Sequence, residues 1–201
     1  MATLTQPASI DNYLDGVSQS QNHGASDFVG LQVEYGGGTK LGWRRPIMNF
    51  NLSAIPAGSI INAAEMHLEV WSTYGAALAA LIRCTRPATW LESQSTWLVY
   101  RTGSNWTNAG GDYNAIGPPA AMAVTVPAAP GTWTITGLAG FVQDAVDNHA
   151  GILSIIMRLD DEDPGVNTGC VFRSTEYDSQ DPEILVDYTP VGDQLRMRGH
   201  S

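Results

Sequence analysis

A chain of 201 residues suits one large domain or two small ones, and with charged residues at only 15% beside 21 glycines and 11 prolines it favours short strands joined by tight turns. Ten basic against twenty acidic side chains leave a formal charge of −10, which repels a polyphosphate backbone and excludes generic nucleic-acid binding. No apolar run reaches bilayer length, so no membrane partner is expected, and the opening residues lack the basic start and apolar core of a secretory leader, so the chain as written is expected to be made and left in a cytoplasm.

Residues 1–30, rich in Ser, Gln, Asn and Gly, read as an N-terminal arm with a first strand, free to lie over the surface or reach a neighbour. A single β-sandwich domain is expected over 31–190. Within positions 44–72, Ile47 and the Met48/Phe50/Leu52 series fall on opposite faces of a strand, Ile55-Pro56-Ala57-Gly58 breaks it, and Met66, Leu68 and Val70 then alternate with His67 and Glu69. That is a strand, a turn and a strand with one buried face.

Further strands are predicted over 81–86, 123–126, 132–135, 152–159, 170–174 and 184–188, nearly all separated by turn residues. The one predicted helix spans Gly137 to Asn148, with Thr136 as its cap and Leu138, Phe141, Val142, Ala145 and Val146 at helical spacing. Short strands with one helix imply an all-β, jelly-roll-like antiparallel β-sandwich. Residues 191–201 read as a C-terminal extension. The two cysteines, Cys84 and Cys170, are expected to be small buried apolar residues that stay as thiols.

Several phrases fall in a familiar order. Arg45, Phe50-Asn51-Leu52-Ser53 and Ile55-Pro56-Ala57-Gly58 are followed by Ile61, Ala64, Met66 and Leu68, then by Trp90-Leu91-Glu92, Thr96-Trp97, Trp106 and Gly110-Gly111-Asp112. Thr136, Gly151, Phe172, Ser174, Glu176, Pro182 and Leu185 to Tyr188 complete the run. Together they resemble the DNRLRE domain family, β-sandwich modules related to alginate-binding carbohydrate-binding modules and to disaggregatase-type repeats. Asn51 stands where that family often has Asp. The resemblance implies a β-sandwich over nearly the whole chain, and it makes a structural calcium held by Asp11 and nearby backbone carbonyls conceivable; no other cofactor is expected.

Trp90 and Trp97 sit at positions that look like structural landmarks, and with Phe50, Leu68 and Phe172 they are expected in the core. Trp106, Tyr100, Trp43 and Arg101 are the candidates for contact with a glycan. Glu92, Asp112 and Glu176 could be argued as paired acids for glycoside hydrolysis, but turn amides and Arg83, Arg86 or Arg173 are their expected partners. The acidic run from Asp160 to Gly165 lacks the spacing of a calcium loop and reads as a solvated connection. The histidines His23, His67, His149 and His200 are scattered without zinc-ligand spacing, and Ser174 lacks a nucleophile-elbow context, so no catalytic or metal-binding residue is assigned.

A sandwich of low charge with flanking extensions, no leader and no active site fits a virion structural protein. Phage genomes carry stand-alone modules resembling this family. The first expectation is therefore a capsid decoration or cement protein of a tailed bacteriophage, with arms that order on the major capsid protein or other virion subunits and with a homo-oligomer, plausibly a trimer, as its form. The alternative is a carbohydrate-binding module for an extracellular or host polysaccharide.

Overall fold

The computed structural model describes residues 1–86, 89–177 and 179–193. The first half supplies the long strands: β1 (Ala2–Asp15), β2 (Phe28–Gly36), β3 (Thr39–Asn51), β4 (Ile60–Gly75) and β5 (Leu78–Cys84). Three minimal strands follow, β6 (Val99–Arg101), β7 (Ser104–Asn105) and β8 (Tyr113–Asn114), and then β9 (Met122–Thr125) and β10 (Gly131–Thr136). The helix α1 (Ala139–Asn148) precedes β11 (Ile152–Leu159), β12 (Thr168–Arg173) and β13 (Glu183–Thr189).

The fold is all-β and antiparallel, but in detail it is a closed ring with outer strands rather than two independent sheets. The order β1-β13-β4-β12-β2-β3 closes because β3 also pairs with β1; β11, β5, β8 and β9 extend from β3, and β10 lies on β4. Closure depends on β1 changing partner. Ala2 to Pro7 pair with β13 and Ala8 to Asp15 with β3, with a register irregularity between Ala8 and Ile10. An extra residue bends a strand enough to carry it from one side of a barrel to the other.

This pairing corrects the expectation of a free N-terminal arm. Asp11, Asn12 and Leu14 are buried. The segment after β1 is also tied down: the Asn22 side chain donates to the Ser95 carbonyl at 2.8 Å, and Ser174 Oγ donates to the Ser26 carbonyl at 2.6 Å. A stretch rich in Ser, Asn and Gln looked like surface because its hydrogen-bonding partners lie far away in sequence. Of the C-terminal extension, 194–201 fall outside the described residues.

Alternation along β3 and β11 serves two cores. Met48, Phe50, Ile155 and Met157 face the barrel interior with Leu68, Phe172 and Cys170, whereas Ile47 and Ile156 face outward and join Leu14, Cys84, Trp90, Trp97 and Trp106 in a second cluster. Strands apolar on both faces need a cover on each. The excursion from 85 to 121 supplies the outer one, so Phe50, Leu68, Trp90, Trp97 and Phe172 are all buried. Burial pushes the Cys84 thiol up to about 11 and the Cys170 thiol up to about 12, so both stay protonated near neutrality.

α1 lays Phe141, Val142, Ala145 and Val146 on the interior core. Its start differs from the expectation: Thr136 is not the cap but the last residue of β10, opposite Glu65, and Gly137 at φ 87° turns the chain so that Leu138 is the N-cap. Gly151 then returns the chain from α1 to β11 at φ 77°, where an added Cβ would come within 2.7 Å of Ser53 backbone atoms.

Candidate functional site

The period-2 pattern that buries Met66, Leu68 and Val70 necessarily turns Glu65, His67, Glu69 and Trp71 outward. Trp71 is 56% exposed, an unusual state for the largest apolar side chain. It is held in an aromatic row: its ring centroid lies 5.7 Å from that of Phe28, which lies 5.8 Å from that of Tyr177. The Arg173 guanidinium sits over both ends of the row, 4.1 Å from the Tyr177 ring and 5.8 Å from the Trp71 ring. Arg173 also bonds the Gln180 side chain, which fixes the guanidinium against the loop.

Beside this row lies a groove of about 720 Å³, between the outer face of β4 and the segment joining β12 to β13. His67 and Glu69 of β4, Thr132 of β10, Glu183 of β13 and Tyr177 and Gln180 of that segment line it. The register explains the grouping, since Glu183 stands opposite His67 and Thr132 opposite Glu69. Both ring nitrogens of His67 meet carboxylates, Nδ1 on Glu183 at 3.3 Å and Nε2 on Glu65 at 3.0 Å. Thr132 Oγ1 donates to Glu69 Oε2 at 3.0 Å.

The wall of the groove is anchored from behind. The Thr175 amide donates to Asp11 Oδ2 at 2.8 Å, and the Asp11 amide donates to Glu92 Oε1 at 2.8 Å. Asp11, Glu92 and Glu176 thus bring carboxylate oxygens within 4.8 Å of one another, a set that could hold a cation. Burial pushes the Asp11 carboxyl up to about 7, with Glu176 and Glu92 raising it further against the Thr175 amide. Burial raises Glu92 as well. Glu92 and Glu176 are the acids that stand with Asp11 in this set.

No protein-family model matches this chain, and no curated protein does. The resemblance noted from the sequence therefore rests on the quoted residues alone.

The predicted glycan contacts do not form a platform. Trp106 is buried, with its indole N–H donating to the Thr96 carbonyl at 2.8 Å, so it belongs to the outer core and offers no face to a ligand. Tyr100 leans on Trp106 at 5.6 Å and has Arg86 at 4.5 Å and Arg101 at 5.5 Å from its ring, which leaves its faces occupied. Trp43 is half-buried, edge-on to Trp97 at 5.6 Å, with Lys40 Nζ 4.2 Å from its ring. Arg101 is exposed and pairs with Ser104.

The acids divide by partner. Asp112 pairs with Arg86 at 2.6 Å; burial pushes its carboxyl up, but that bond and the Thr107 and Asn108 amides together hold it below its ordinary value. Within the acidic run, Glu162 turns back to Arg45 while the Asp161 side chain accepts from the Asp163 amide at 2.8 Å. Trp71 was absent from the expected contacts, yet its signal was present, since the residue after Val70 in an alternating strand must point outward.

Proposed function

We propose that this chain is a non-enzymatic adhesive module that binds a polysaccharide along the outer face of β4. The observation that supports this best is Trp71, exposed on β4, held by Phe28 and Arg173, and two residues along the strand from Glu69, which lines a polar groove. An indole kept in water has an unsatisfied apolar face, and the C–H face of a pyranose satisfies it while hydroxyls reach the polar groups around it. Thr132, Ser179 and Gln180, which line the groove, are suited to that role, and the carboxylates serve binding rather than chemistry. A glycan array probed with the purified protein and with Trp71→Ala tests this. Binding that disappears in the variant supports it; an array without signal for the folded protein, or signal indifferent to Trp71→Ala, sinks it.

A capsid decoration or cement protein of a tailed bacteriophage is the second reading, favoured by a different observation. Among the described residues, strands β9 and β10 each pair on one side only, with β5 and β4, and their other edges flank a groove of about 280 Å³. Open edges accept an extended segment from a neighbour by strand addition. On a virion that neighbour would be the major capsid protein or a second copy, as in a trimer, and with β1 built into the barrel the edges rather than an N-terminal arm would make the contact. The two readings are compatible, because a particle-surface module can also hold host glycan. Mass spectrometry and cryo-electron microscopy of purified virions decide it: a stoichiometric ratio to the capsid protein supports the assignment, and absence from every particle removes it.

A further inference from the structure

The charge of the groove narrows its ligand. Glu69 on β4, Glu176 and Asp181 on the segment after β12 and Glu183 on β13 all line it, and no lysine or arginine does so among the described residues. Glu65 stands one step along the same face, on His67 Nε2. The cation beside the groove, Arg173, is already engaged with Tyr177 and Gln180. In a chain of net charge −10, a cleft lined by carboxylates concentrates negative potential and draws in cations.

A polymer of uronates or sulfated sugars would bring like charges together in this cleft. A neutral polymer offers only hydroxyls to Glu69 and Glu183, which leaves their charge uncompensated, whereas an ammonium group pairs with it. Resting on the polysaccharide-binding face proposed above, we infer that the ligand is a polysaccharide of amino sugars carrying free ammonium groups. One pyranose stacks on Trp71, and an ammonium group of the next sugar lies between the Glu69 and Glu183 carboxylates. A basic peptide shares the ammonium but has no flat C–H face for the indole and no row of hydroxyls for Thr132, Ser179 and Gln180.

Titration calorimetry at low salt with four probes tests the inference: a glucosamine hexamer, its fully N-acetylated counterpart, a hexamer of uronic acid, and oligolysine. The glucosamine hexamer is expected to bind about tenfold or more tighter than the acetylated one, to lose about tenfold in the Glu69→Gln/Glu183→Gln double variant and with added salt, and to lose binding in Trp71→Ala. Acetylated or uronic hexamers bound as tightly as glucosamine, with Trp71→Ala still abolishing binding, would overturn the ammonium inference while leaving the polysaccharide reading intact. Oligolysine bound as tightly as glucosamine and unaffected by Trp71→Ala would assign the groove to basic peptides. No heat with any sugar, for a protein with an unchanged melting transition, would overturn both.

Discussion

Arg45 grips Glu162 through two parallel hydrogen bonds, Nε to Oε1 and Nη2 to Oε2, both 2.7 Å long. The same guanidinium lies 4.7 Å from the Trp97 ring centroid, and its Nη1 donates to the Gly110 carbonyl at 3.0 Å. One side chain of β3 therefore ties the acidic loop and the glycine turn around the outer core. Removing it by Arg45→Ala leaves Glu162 half-desolvated and Gly110 unpaired. The expected cost is roughly 3 kcal/mol in chemical denaturation, and Arg45→Lys should recover less than half of it, because an ammonium cannot make the paired geometry. Full recovery by lysine would show that charge alone matters there.

Stability should fall as the pH rises from about 4 to about 7. The Asp11 carboxyl is pushed up to about 7 in the folded protein from an ordinary 3.8. Between those values the folded chain holds a proton that the unfolded chain has lost. The contribution is therefore complete below the lower value and is lost as pH rises through about 7. The loss is at most about 4 kcal/mol. In the presence of a chelator, the melting temperature should decrease from pH 5 to pH 8, and Asp11→Asn should flatten that dependence. An unchanged pH profile in Asp11→Asn would assign the slope to other groups.

Two tryptophans should behave oppositely. Trp106→Ala empties a buried indole site and removes the bond to Thr96, for an expected loss of about 3 to 5 kcal/mol. Trp71→Ala, on the exposed face, should cost under about 1 kcal/mol while removing ligand binding. Thermal unfolding of the two variants side by side reads the difference directly. Comparable melting temperatures would mean that one of the two side chains is not placed as described.

Local periodicity made β3 to β5 and β9 to β13 legible, together with α1 and the burial of Trp90 and Trp97, because alternating residues report which face is buried; β2, buried along most of its length, and the two- or three-residue strands β6 to β8 show no such alternation. What stayed hidden depends on distant partners. β1 has Thr, Gln, Ser and Asn at many positions, and its burial becomes visible only once Asn12 is seen donating to Ser95 Oγ at 2.7 Å, across more than half a barrel of intervening chain. Trp106 sits in a loop sequence of Gly, Ser and Asn that resembles exposed surface, yet the loop folds its ring under itself. The groove was invisible for a related reason: its residues come from β4, β10, β13 and the segment after β12, and only the register of Glu183 and Thr132 on β4 brings them together.

The seam between the two ends of the chain sets the order in which the molecule can be built. Ala2 lies opposite Tyr188 and Pro7 opposite Glu183, so β1 finds that partner only after the residues between them have been made. Until then the edge of β4 from Ile60 to His67 also lacks its neighbour β13. Ring closure is thus a late step with a long chain loop to bring together, and the interval before it is when exposed apolar strands compete for other chains.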